Sequence, residues 1–147
     1  MEISRYLDFF EKSYKDNLEH SKFVKKDFPR WSIISGYYAM HDITKLLISN
    51  MYGIKIEYEV HATTIKVLRE LLKDKDALEL LEEGYNEFIY LANDLAEAKK
   101  ERVKTQYYTG SKFSHEIFQR KAELFLENKV EVYIVKIKDI LSRGDIE

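Results

Sequence analysis

The residues of this chain best suited to move a proton near neutral pH or to hold a transition metal are few. There are four histidines, His20, His41, His61 and His115, and no cysteine. A di-iron centre in a helical bundle needs Glu-x-x-His pairs converging from facing helices. The residues three before the histidines are Asn17, Tyr38, Tyr58 and Lys112, none of them a carboxylate. There is no His-Glu-x-x-His helix for zinc and no Gly-x-Ser-x-Gly nucleophile elbow. The glycines stand far apart, at Gly36, Gly53, Gly84, Gly110 and Gly144, so no glycine-rich loop can cradle phosphates. Without cysteine there is no thiol catalysis, thiolate zinc or disulfide, the usage expected of a cytoplasmic protein. The expectation is a chain that needs no metal and no cofactor.

What remains is cationic and aromatic. Lys99, Arg102 and Gln106 are three and four residues apart, which places them on one face of a helix, with Lys100 and Lys104 beside them. Such a ridge suits phosphate; a solvated helix end whose cations complement the helix dipole is the alternative. His41, Asp42 and Lys45 sit close together, where Asp42 is suited to hold an arginine such as Arg102. A surface ion pair or a hydrogen-bonded core histidine is an equal reading. His61 is read as a capping or packing residue. Lys22, Lys25, Lys26 and Arg30 form a second basic cluster, read as a solvated face. Phe28, Trp31, Tyr37 and Tyr38 are assigned to the core, because a base-stacking platform needs its rings exposed beside basic residues.

The elements that must position these residues are helical. One proline and five glycines in 147 residues leave too few breakers for a many-stranded sandwich or barrel. Ile3, Leu7, Phe10, Tyr14 and Leu18 form one apolar stripe, predicting a first helix from Ile3 to about Lys25. Pro29 suits the first turn of a second helix. From Trp31 to Met51 apolar residues surround that helix, the mark of a central element, and Gly53 suits a left-handed C-terminal cap. Residues 54–60 alternate with period two and are read as an ordered extended connection. A short third helix follows from Thr64 to Leu72. Asp76 with Glu79 reads as a capping box that opens a fourth helix, running to about Tyr107. A fifth spans Lys112 to Ser142, although Val130 to Val135 also has a strand-like pattern. The fold expected is all-α: one domain over residues 1–147, an up-and-down bundle of about five helices. The net charge of −2 announces no global attraction to nucleic acid. The N-terminal residues do not read as a signal peptide and no window reaches a membrane span, so no membrane association is expected.

Two segments carry a family resemblance. Ile34-Ser35-Gly36-Tyr37-Tyr38-Ala39-Met40-His41-Asp42-Ile43-Thr44-Lys45-Leu46-Leu47 resembles the second helix of the HEPN family, and residues 97–108 resemble that family's arginine-bearing helix. The resemblance implies a helical bundle that forms a two-fold dimer. It also implies a nucleotide- or RNA-handling role, commonly beside a small nucleotidyltransferase in toxin–antitoxin pairs. Many members are metal-independent ribonucleases in which an Arg, usually a small polar residue and a downstream His act together. Such a His can move a proton at the ribose or leaving oxygen while the Arg stabilises phosphate charge.

This chain departs from that pattern twice. Val103 follows Arg102, and Tyr107 stands where the His belongs; the next histidine is His115. A phenol with a pKa near 10, against about 6.5 for imidazole, is a poor general base at neutral pH. The resemblance therefore implies nucleotide or RNA binding by Lys99, Arg102, Lys104, Gln106 and Tyr108, with His41, Asp42 and Lys45. Arg102 and Tyr107 are the pair that any remaining catalysis would use. Weak ribonuclease activity and a purely structural protein-interaction module are the alternatives. Gly36, inside the second helix, is expected to face a neighbouring helix or a dimer mate, because an interior glycine costs about 1 kcal/mol against alanine.

Overall fold

A computed structural model describes residues 3–56, 60–71, 74–104 and 111–143, with the backbone alone for 60, 62, 71, 91–104, 111–114 and 143. The order is α1 (Ile3–Val24), α2 (Pro29–Tyr52), α3 (Val60–Leu71), α4 (Lys75–Lys104), α5 (Ser111–Phe125), a π-helical segment (Leu126–Val130) and α6 (Glu131–Arg143). The last three form one rod, since Phe125 and Glu131 at the two junctions keep right-handed helical backbone. The expected fifth helix is thus continuous with one wide turn, and the strand-like run from Val130 is helical. No strand occurs among the described residues, and no described helix is long and apolar enough to cross a membrane.

α2 is the axis of the fold and touches every other helix. Pro29 occupies its first turn, and Phe28 precedes it without a side-chain cap; the missing proline N–H removes a donor that would otherwise need a partner. Ile33, Tyr37, Met40, Ile43 and Leu47 are essentially inaccessible to solvent, and Leu81, Leu126, Val130, Tyr133 and Ile137 pack into the same core. Gly53 ends the helix at φ 68°, its N–H donating to the Ser49 carbonyl at 2.9 Å. That left-handed geometry is what the sequence led us to expect at this glycine.

The connection after Gly53 has no regular secondary structure as far as it is described. Ile56 is buried and its N–H donates to the Tyr6 hydroxyl at 3.0 Å, which ties the connection to α1. Residues 57–59 lie outside the described set, and α3 begins at Val60 rather than Thr64. The start of α4 also differs from expectation. Asp74, not Asp76, caps it: Asp74 Oδ1 accepts from the Ala77 N–H at 3.0 Å, and its carbonyl accepts from the Leu78 N–H at 3.1 Å. The run Asp74-Lys75-Asp76 contains two candidate caps, and the first places its oxygen over the third helical N–H. The expected breaks at Gly110 and Gly144 lie outside the described residues.

Gly36 faces neighbouring helices. A β-carbon built there would stand 2.9 Å from Val130 Cγ2 in the π segment and 3.2 Å from Ser21 Oγ in α1. Val130 is branched at Cβ and stiff, so it cannot yield as freely as the flexible Met40 thioether, which lies at the same 2.9 Å distance from a β-carbon at Gly84. Overpacking costs about 1–3 kcal/mol, against about 1 kcal/mol of helix propensity gained by replacing glycine with alanine. Gly36→Ala should lower stability to urea, and should do so less in a Val130→Ala background. Equal costs in both backgrounds would show that the two residues do not compete for space.

Candidate functional site

The cationic candidates lie toward the end of α4. The helix continues through Lys104, so Lys99 and Arg102 sit three positions apart on unbroken helical backbone. Their side chains and that of Lys104 are outside the described residues, as are Gln106, Tyr107 and Tyr108 altogether. α4 runs antiparallel to α5, as the Lys129–Glu83 contact at 2.6 Å and the Lys121–Glu87 contact at 3.5 Å show. The C-terminal end of α4 therefore lies at the end of the bundle where α5 begins.

His41, Asp42 and Lys45 are internal. They retain only 2%, 5% and 8% of their exposure, because α2 is enclosed on nearly all sides. Asp42 Oδ2 accepts from Ser13 Oγ at 2.6 Å and from Asn17 Nδ2 at 3.0 Å, both on α1. Burial raises the Asp42 carboxyl above its ordinary range, opposed by the Ser13 bond, the charge of Lys45 and the Asn17 bond. Burial lowers the Lys45 ammonium, opposed by Asp42. Lys45 Nζ stands 4.2 Å from the centre of the Phe10 ring, a cation–π contact that partly replaces its lost water. In this chain Asp42 and Lys45 thus join α1 to α2, neither as a surface ion pair.

A second group joins α2 to α3 and α4. Tyr37 Oη lies 2.6 Å from His61 Nδ1, and the His41 and His61 ring centres are 4.7 Å apart. Phe88 stacks on Tyr37 at 5.0 Å, and Tyr38 and Tyr85 complete the cluster around His61. Burial raises the Tyr37 phenol far above its ordinary value. Burial also lowers the half-buried His61 imidazole below 6.5, helped by the positive charge of Lys45. Both shifts favour the uncharged forms, so one neutral partner donates to the other across this contact. Chemically this is a neutral, orientated base. His61 packs as expected, but its partner is 24 residues away in sequence, and only the fold brings the two together. Among the described residues no group of three or more His, Asp or Glu could hold a metal ion.

The aromatic assignments divide. Tyr37 is fully buried and Tyr38 half-buried, but Phe28 and Trp31 are each 59% exposed, against the expectation of core positions. Pro29, Ser32, Ile33 and Gly36 take the inward stripe at the start of α2. At 3.6 residues per turn, that leaves Phe28 and Trp31 facing outward.

A depressed histidine binds fewer protons folded than unfolded. Stability contributed by His61 is therefore present above about pH 6.5 and is lost as pH falls from there through its folded value. The His61 resonance should titrate below 6.5 by NMR and move back toward 6.5 in Lys45→Met, which removes the positive charge that opposes its protonation, while His61→Gln should flatten the thermal midpoint between pH 7 and the folded pKa. A His61 titration that Lys45→Met leaves untouched would show that the ammonium does not bias the imidazole.

No family model matches the chain, and no match is found among curated proteins or solved structures.

Proposed function

We propose that this chain is a HEPN-like protein that binds nucleotide or RNA phosphate through the end of α4, with Arg102 and Tyr107 as the central pair and Lys99, Lys104, Gln106 and Tyr108 around them. In this reading it works as a homodimer beside a small nucleotidyltransferase and has little catalysis of its own. The observation that carries the proposal is the fate of the Ile34-to-Leu47 string. It forms the central, enclosed part of α2, with Gly36 at a close helix contact, and α4 extends through Arg102 as the resemblance requires.

The chemistry follows from charge. A guanidinium can donate two parallel bonds to a phosphate, a geometry that an ammonium cannot match. Tyr107 can donate one further bond, but its phenol is too weak a base to take a ribose proton at neutral pH. The His41, Asp42 and Lys45 side chains act through the fold in this reading: they hold α2 against its neighbours and leave phosphate contact to the helix end.

Hydrogen bonds to charged groups contribute about 1.5–3 kcal/mol each. Arg102→Ala should therefore weaken nucleotide and RNA binding at least tenfold in titration calorimetry while leaving the helical circular dichroism unchanged. Full affinity in a folded Arg102→Ala protein would remove the site. RNA cleavage that resists EDTA and disappears in the same variant would replace binding with ribonuclease activity.

A further inference from the structure

We infer that the turn joining α1 to α2 is a binding site for single-stranded nucleic acid, in which exposed rings stack on bases and neighbouring cations meet the phosphates. Phe23, in the last turn of α1, is 83% exposed, and Phe28 and Trp31 are each 59% exposed. Large rings held in water carry an unfavourable hydration cost, and three within nine residues form more than scattered surface apolarity. Phe28, which precedes the first turn of α2, and Trp31, within that turn, are three positions apart in sequence.

The cations beside them sort into two groups. Lys22 is paired with Glu131 at 3.6 Å, and the Arg30 guanidinium lies 4.4 Å over the Phe118 ring. Both serve the fold. Lys25 and Lys26, in the turn itself, instead line a surface cleft of about 260 Å³ with Arg120, Gln119, Glu116 and Glu123. The turn is also held in place: Gln119 Nε2 and His115 Nε2 donate to the Lys26 carbonyl at 2.7 and 3.0 Å. A site whose geometry is set before binding loses less entropy when the ligand arrives.

Rings that stack and cations that track a backbone are the two elements of single-strand recognition. A duplex offers its base faces to neither Trp31 nor Phe28, because they are already stacked within the helix. A membrane surface would also accept aromatic and basic residues, but inserting these rings would bring Asp27, which stands between Lys26 and Phe28, into the headgroup boundary. A flexible strand needs no insertion and can stack on the rings from solvent, with Glu116 and Glu123 offsetting part of the attraction of Lys25, Lys26 and Arg120 for its phosphates. Because α4 ends where α5 begins, this site and the cationic end of α4 share one end of the bundle. The inference nevertheless stands on Phe28, Trp31 and the cleft, and it does not require Arg102 to bind.

Trp31 is the one tryptophan in the chain, so its emission reports this site alone. Titration with an oligouridylate of about ten nucleotides at low salt should quench that emission saturably. Trp31→Ala and Phe28→Ala should each weaken binding of a labelled oligonucleotide about tenfold by anisotropy. Lys25→Glu combined with Lys26→Glu should lower the slope of log affinity against log salt. The substituted side chains are largely solvent-facing, and circular dichroism checks that each variant is folded. Unquenched emission, or undiminished affinity in both aromatic variants, overturns the inference. So does binding to anionic phospholipid vesicles without binding to the oligonucleotide, or emission that changes only with protein concentration, as a second copy covering the turn would produce. Arg102→Ala separates the two readings. Loss there with full affinity in Trp31→Ala leaves only the α4 site, and the reverse leaves only the turn.

Discussion

Every polar group on a helix enclosed by five others must find a partner inside the protein, and that requirement on α2 governs the rest of the structure. An unpartnered buried donor or acceptor costs about 1–3 kcal/mol, more than an ordinary hydrogen bond returns. α2 meets most of that requirement with a different neighbour at each level; the Ser49 hydroxyl, near its C-terminal end, is the exception, buried with no hydrogen-bond partner among the described residues. Ser32 and Ser21 exchange bonds, each hydroxyl donating to the other's carbonyl at 2.8 and 2.7 Å. Ser35 Oγ meets His20 Nδ1 at 2.5 Å, and Asp42 takes Ser13 and Asn17. Thr44 donates to the Met40 carbonyl and accepts from the Tyr133 hydroxyl of α6. Tyr37 reaches His61 of α3. A rotation or one-residue slip of α2 would break all of these at once, so the polar partners set the register that apolar packing alone leaves loose.

The same pairs determine where function can reside. Groups that hold α2 are dry, and burial has moved their protonation away from ordinary values: the Asp42 carboxyl and Tyr37 phenol up, the Lys45 ammonium down. Such groups resist exchange with a ligand, because displacing any partner exposes a buried charge or dipole. Tyr133, fully enclosed and with its phenol also raised by burial, belongs to this inner set. Among the described side chains, more accessible groups lie at the periphery, in the half-buried imidazole of His61 and around the α1–α2 turn. The division between an inner polar frame and an outer reactive rim therefore follows from the burial of one helix.

Much of the architecture is legible along the chain because helical periodicity is local. The stripe through Leu7, Phe10, Tyr14 and Leu18, the all-round apolarity of α2 and the Gly53 cap each depend on spacing within a few residues. The interior Gly36 announced a close approach for the same reason: glycine is costly in a helix unless something needs the space. Cap selection at Asp74 and the π turn at Leu126–Val130 were not legible. The first depends on which of two nearby carboxylates reaches an N–H, and the second accommodates one wide turn in a rod whose buried residues Leu126 and Val130 meet α2. Among site residues, the sequence placed Lys99 and Arg102 on one helix but could not distinguish buried from exposed members of the α2 group. His41, Asp42 and Lys45 look like surface chemistry until every face of their helix is seen to be covered.

By itself the sequence determined the helical character of the described residues, the identity of the central helix, the breaks at Pro29 and Gly53 and the exclusion of thiol, zinc-helix and glycine-loop chemistry. These depend on residue type and short-range spacing, which a single chain displays directly. Only the tertiary structure decided that Asp42 serves Ser13 and Asn17, that Tyr37 serves His61, and that Phe28 and Trp31 face water. Each of those outcomes depends on which side of a helix another helix covers. That is settled by long-range packing, where burial reverses the meaning of a charge or an aromatic ring without changing its place in the sequence.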